Sequence, residues 1–146
     1  MLLGSGWAGA RMNSLEDPEA APQVARVRIL VVEDEPLIRF AIADALRDEG
    51  ASVIEAATAD EAWRYLSDGE PVDLIFTDHR MPGSMTGAQL AVRVRRQYPS
   101  VEVVVTSGAF DASEWTEPIR KKPYLPAETA NDLMRLAMPK QKGSAP

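Results

Sequence analysis

Cysteine is absent from this 146-residue chain, and histidine occurs once. Without cysteine there is no disulfide framework, no thiolate metal site and no cysteine nucleophile, which points to a reducing compartment. No apolar run approaches the ~20 residues that a membrane-spanning helix needs. The opening ten residues have no positive n-region and no long apolar h-region, so they do not resemble a signal peptide, and the cytoplasm is the expected location. A basic excess is missing too. The net charge of −6 repels a phosphate backbone and argues against nucleic-acid binding. What is present, 45% hydrophobic and 26% charged residues, suits one globular domain that closes a core without covalent staples.

Residues 1–26 are rich in Gly, Ala, Pro, Ser and acids, lack periodicity and read as a disordered leader, within which Met12 is an alternative start. Residues 139–146 read as a disordered tail. The folded unit is expected over 27–138, with no internal repeat and no output domain after it. Within it, residues 27–32 form a short apolar run that suits a buried parallel strand. Pro36, a favoured first helical residue, introduces Leu37, Ile38, Ala41, Ile42, Ala45 and Leu46 at helical spacing up to Gly50. Residues 52–56 read as a second strand. Thr58 and Glu61 form a capping-box signature for a helix with Ala59, Ala62, Trp63 and Leu66 on one face.

Residues 72–77 predict a third strand, 82–87 a loop, and Leu90, Ala91, Val94 and Tyr98 the next helix. Residues 101–105 are the clearest β-branched run, a fourth strand. A brief strand should precede Lys122, and Ala130, Leu133, Met134 and Ala137 mark a last amphipathic helix. Five short strands alternating with helices predict a doubly wound α/β domain with a parallel sheet in the order 2-1-3-4-5.

Polar residues follow these strands: Glu33 and Asp34 the first, Asp78 the third, Thr106 the fourth, Lys122 the fifth. Singly, each is the ordinary turn or cap residue found where a strand ends. Together they border one crevice, since open parallel sheets bind ligands beyond the carboxyl ends of their strands, at the switch point between strands 1 and 3. Three carboxylates in one crevice repel and partly protonate unless a cation joins them. Mg²⁺ meets that need while leaving positions for a phosphate oxygen.

These residues carry a family resemblance. The runs Ile29-Leu30-Val31-Val32-Glu33-Asp34-Glu35-Pro36, Val72 to Pro82 around Asp78, Val103-Val104-Val105-Thr106-Ser107-Gly108 and Lys122-Pro123-Tyr124 resemble, in order and spacing, the four motifs of response-regulator receiver domains of the CheY-like, flavodoxin-type fold. The resemblance covers about residues 27–138. It implies that Asp78 accepts a phosphoryl group from a histidine kinase or phosphotransfer protein. It implies Mg²⁺ held by Asp34, Glu33, Asp78 and the backbone carbonyl of Arg80, with Lys122 and Thr106 on phosphoryl oxygens. It also implies a cis Lys122–Pro123 bond. Phosphoryl transfer asks for this equipment, an in-line nucleophile and charge compensation.

The chain departs from the family pattern in places. Glu33 stands where Asp is more usual. Ile119 replaces the aromatic that commonly accompanies the threonine switch. Only 15 residues separate Thr106 from Lys122, so a shortened fourth helix, or a loop, is expected through residues 110–116. Receivers with similar Thr-Ser-Gly and Lys-Pro-Tyr motifs and a short fourth helix occur among stand-alone alphaproteobacterial regulators. The loop 82–87 is one residue longer than the common form, with Thr86 where Asp is frequent. His79 beside Asp78 is expected to point away from it, as strand neighbours do. Trp63 is expected in the core, Trp115 in packing or against a partner, and Arg93, Arg95 and Arg96 on a solvated helix face.

The resemblance thus implies a stand-alone regulator, not an enzyme towards free substrates, acting through an unidentified downstream protein or as a phosphate sink. Two alternatives stay open. One is a phosphorylation-independent module on the same fold. The other is an Mg²⁺-dependent phosphatase of the haloacid-dehalogenase type, although that family has Asp-x-Asp where this chain has Glu33-Asp34-Glu35. A flavin site is disfavoured because the first loop is acidic where it should cradle a phosphate.

Overall fold

The computed structural model of the chain describes residues 26–107 and 119–138. The strands are β1 (Arg28–Val32), β2 (Ser52–Ala56), β3 (Leu74–Asp78), β4 (Glu102–Ser107) and β5 (Ile119–Lys121). The helices are α1 (Pro36–Asp48), α2 (Ala59–Ser67), α3 (Gly87–Gln97) and α4 (Pro126–Ala137). All strand pairings are parallel, and the sheet order is β2-β1-β3-β4-β5, as the sequence pattern predicts.

Strand periodicity explains why both faces are covered. Side chains alternate across a strand, so β1 sends Ile29 and Val31 to one face and Leu30 and Val32 to the other. Ile29 and Val31 meet Ile42 and Leu46 of α1 and Leu133 of α4, together with Leu74, Phe76 and Val104. Leu30 and Val32 meet Ala62 and Leu66 of α2 and Leu90 and Val94 of α3, together with Ile75, Val103 and Val105. Strands buried on both faces read as continuous apolar runs, which is why they were visible in the sequence.

The edges of the elements differ from expectation for local reasons. β3 starts at Leu74 rather than 72, where the Asp73 carboxylate has turned to accept the Arg28 N–H at 2.8 Å. Its other end runs on to Asp78, which pairs in register with Thr106. At α2 the expected capping box is half formed. Thr58 Oγ1 accepts the Glu61 N–H at 3.1 Å, but the Glu61 carboxylate takes the N–H of Ala57 at 2.7 Å instead of that of Thr58. A complete box opens α3, where Thr86 Oγ1 accepts from Gln89 N at 3.1 Å and Gln89 Oε1 accepts from Thr86 N at 2.9 Å.

Trp63 is half-buried at the core margin, edge-on to Tyr98 at 5.8 Å. Arg93, Arg95 and Arg96 lie on an exposed helix face as expected, and the Arg93 guanidinium also lies 4.2 Å above the Trp63 ring. Residues 1–25 of the leader expected over 1–26, the shortened fourth helix, Trp115 and the tail over 139–146 lie outside the described residues. Ile119 pairs in register with Val105, but the switch role expected of its side chain also falls outside them.

Candidate functional site

The register of β1, β3 and β4 brings the polar strand-end residues to one edge of the sheet. Val32 pairs with Thr77, and Asp78 with Thr106, so the residues that follow β1 face the last residue of β3. Ligand oxygens of Glu33, Asp34 and Asp78 all lie within 4.8 Å of one another. Lys122, directly after β5, reaches across with its Nζ 3.2 Å from Asp78 Oδ2 and 3.5 Å from Glu33 Oε1. The Lys122–Pro123 bond is cis. Arg80 lies two residues past Asp78 in the bend that leaves β3, with its side chain exposed.

Glu33 is held from several directions. Its N–H donates to Ala56 O at 3.0 Å, its carbonyl accepts from Arg39 Nη1 at 2.9 Å, and its Oε2 accepts the N–H of Glu35 at 3.1 Å. Its Oε1 is buried without a hydrogen bond, 3.5 Å from the Lys122 ammonium. Burial raises the pKa of this carboxyl above its ordinary value, and the neighbouring Asp78 charge adds to the rise. The Glu35 N–H and Lys122 work the other way. For Lys122 burial opposes the charged form, yet Asp78 and Glu33 outweigh it and the pKa rises.

Thr106 is 1% exposed, and its Oγ1 has no hydrogen-bond partner among the described residues. Leaving a hydroxyl buried and unpaired costs about 1–3 kcal/mol, so this oxygen is a polar group whose hydrogen-bonding capacity stays unused among the described residues. Its backbone carbonyl accepts the N–H of His79 at 2.8 Å. His79 is half-buried rather than turned fully to solvent, and burial lowers its pKa, with the Arg80 charge acting in the same sense.

The donor set tests whether a cation fits. Carboxylate oxygens are hard ligands, and Glu33 Oε1 is buried and orphaned, so the cluster matches Mg²⁺ chemistry. Nothing in the set is a soft ligand.

Two residues escaped sequence reasoning. Gly87 is one. A Cβ there would collide with the backbone carbonyl of Asp78 and come within 2.8 Å of Thr77 Oγ1. Arg39 is the other, and its signal was a cation in the opening turns of a helix, where the dipole disfavours it.

Comparison with known proteins gives the same picture. A family model of the response regulator receiver domain matches residues 29–121. Over 97 residues, 66% of this chain, the sequence is 36% identical to the nitrogen assimilation regulatory protein NtrX of Azorhizobium caulinodans, covering 21% of that protein. Over 86 residues, 59% of the chain, it is 38% identical to the hydrogenase transcriptional regulatory protein HoxA of Cupriavidus necator, covering 17% of it. The matches thus span only 17–21% of these two regulators, whose remaining parts they do not touch. A response regulator receiver protein from Sinorhizobium medicae superposes with a TM-score of 0.67 at 28% identity, over 78% of this chain and 98% of that one. Receiver domains in general work with histidine kinases or phosphotransfer proteins and bind Mg²⁺ in an acidic pocket, the kind of cluster that Glu33, Asp34 and Asp78 form here. With its family model matched over more than half its length, this chain belongs to the response regulator receiver domain family.

Proposed function

We propose that Asp78 accepts a phosphoryl group from a histidine kinase or phosphotransfer protein, and that the phosphorylated domain signals by binding another protein or by draining a shared kinase. The observation that carries this is the Lys122 ammonium 3.2 Å from Asp78, beside three carboxylates gathered within 4.8 Å. A carboxylate nucleophile is thereby paired with a cation that can follow the incoming charge.

In the transfer, an Asp78 oxygen forms a bond to phosphorus as the phosphorus–nitrogen bond to the donor imidazole breaks. The imidazole leaves and takes up a proton. Lys122, freed from Asp78, pairs with a phosphoryl oxygen, and the unpartnered Thr106 hydroxyl donates to another. Asp34, Glu33, Asp78 and the Arg80 carbonyl are the groups that would hold Mg²⁺, which supplies charge neutralisation to the phosphoryl oxygens when bound. The donor would approach over the apolar groove of Leu37, Ile38, Ala41 and Tyr124 next to Lys122. A cytoplasmic location and the absence of turnover on free substrates belong to the same proposal.

The test is the intact mass of the full chain after incubation with acetyl phosphate and Mg²⁺, beside Asp78→Asn. One phosphoryl adduct that requires Mg²⁺ and disappears in the variant is expected. If no adduct forms, and a beryllofluoride mimic also fails to bind, the domain is a phosphorylation-independent module. Continued release of phosphate from added esters would point to a phosphatase.

A further inference from the structure

Glu33 lies at the junction between the acidic cluster and a separate ion-pair network on the β1–β2 side of the sheet. The link is one guanidinium. Arg39 donates through Nη1 to the Glu33 carbonyl at 2.9 Å and through Nε to Glu55 Oε1 at 3.2 Å. Glu55 is itself fixed, because its other oxygen accepts from Arg47 Nη2 at 3.1 Å. It sits on β2 opposite Val31, one register position before the Ala56 carbonyl that takes the Glu33 N–H at 3.0 Å. Both main-chain groups of Glu33 are therefore tied down, one by the sheet and one by Arg39.

The helix start does not suit the Arg39 charge. Arg39 stands near the start of α1, where the positive end of the helix dipole disfavours a cation, and the first turn holds no acid to offset it. Glu55 interrupts a strand whose neighbours are apolar. The Arg39 charge is offset by the Glu55 carboxylate and by the Glu33 carbonyl, both of which accept from its guanidinium.

We infer that Arg39, braced by Glu55, is a positioning residue that fixes the Glu33 peptide and so sets the affinity of the acidic cluster for Mg²⁺. This rests on the receiver function proposed above. Groups that orient a ligand from behind commonly change metal affinity by about 10–100-fold when removed. Arg39 differs from a generic surface arginine in the direction of the effect it predicts. Deleting a positive charge near a cation site should tighten cation binding if only Coulomb energy matters. Deleting the group that holds Glu33 in place should weaken it.

Arg47 provides the matched control. It carries the same charge and the same Glu55 partner, but its other bond goes to the Val53 carbonyl at 3.3 Å, away from Glu33. The experiment is calorimetric titration of Mg²⁺ into the full chain, wild type beside Arg39→Met, Arg39→Lys and Arg47→Met, with thermal melts in chelator to verify folding. Arg39→Met is expected to bind Mg²⁺ about tenfold more weakly. Arg39→Lys, which keeps the charge but cannot span both acceptors, should fall between it and wild type. Arg47→Met should stay within about twofold of wild type or bind more tightly. Unchanged or tighter binding by Arg39→Met overturns the inference while leaving the receiver function intact, as does an equal loss in Arg47→Met. A wild-type chain that binds no Mg²⁺ overturns both. Should Arg39→Met fail to fold, Arg39→Lys decides alone: affinity equal to wild type sinks the inference, and weaker binding upholds it.

Discussion

At the scale of single residues, the site depends on contacts that leave no room for substitution. Gly87 shows this most directly. Its N–H donates to the His79 carbonyl at 3.0 Å, and its Cα lies so close to the Asp78 carbonyl that any side chain must push that peptide aside. Gly87→Ala should therefore cost about 1–3 kcal/mol of stability through overpacking. It should also slow the proposed acyl-phosphate formation by more than the stability loss explains, because the displaced peptide carries Asp78, the proposed phosphoryl acceptor. Urea midpoints and intact-mass time courses on the same preparations would separate the two. A variant that is destabilised yet phosphorylated at the wild-type rate would show that the Asp78 backbone can shift harmlessly. The collision was invisible in the sequence, where Gly87 is merely the end of a glycine-containing loop. Asp34, Asp78 and Lys122, by contrast, were legible as a set, because polar residues that follow successive parallel strands border one crevice even though each alone reads as a turn or cap residue.

At the scale of elements, the strands were easier to read than the starts of the helices. Burial on both faces gives β1 and β3 continuous apolar segments, and short β-branched runs mark β2 and β4, so β1 to β4 appear within a residue or two of their places. Helix starts depend on which donor a side chain finally meets. Thr58-x-x-Glu61 and Thr86-x-x-Gln89 carry the same signature, but only the second closes both bonds. The first was the one expected to form a box, and the second lay inside a stretch expected to be a loop. Gly87, a poor helix former, masked it. Thr86→Ala removes the hydroxyl that accepts the Gln89 N–H and should cost about 1 kcal/mol. The loss is expected as a lowered urea midpoint with an unchanged slope and with Mg²⁺ affinity retained. A loss within a few tenths of a kcal/mol would mean that tertiary packing of Leu90 and Val94 holds α3 without its cap.

At the scale of the whole molecule, the fold places a cation and a phenol where the gathered acids resist their loss of protons. Asp78 and Glu33 raise the Lys122 pKa against the opposing effect of burial. Burial is the main cause of the rise at Tyr124, reinforced by the charges of Glu33 and Asp78. Its ring stands edge-on to Phe76 at 5.6 Å, which keeps the phenol against the core. Both groups hold their protons more tightly folded than unfolded, so the native state binds more protons once the pH passes their ordinary values. Stability then falls as pH rises. Their stabilising contribution is complete below the ordinary Tyr value of 10.0 and Lys value of 10.5, and is lost as pH climbs through the higher folded values. Each group can add at most about 1.4 kcal/mol per pH unit to the decline. Urea unfolding in chelator between roughly pH 8.5 and 11.5 should show a plateau followed by this alkaline fall. Tyr124→Phe keeps the ring against Phe76 but removes the ionisable hydroxyl, so its fall should be shallower by up to one group's share. An identical slope in wild type and variant would mean that Tyr124 ionises equally well in both states, so that neither its burial nor the acids at the strand ends hold its proton.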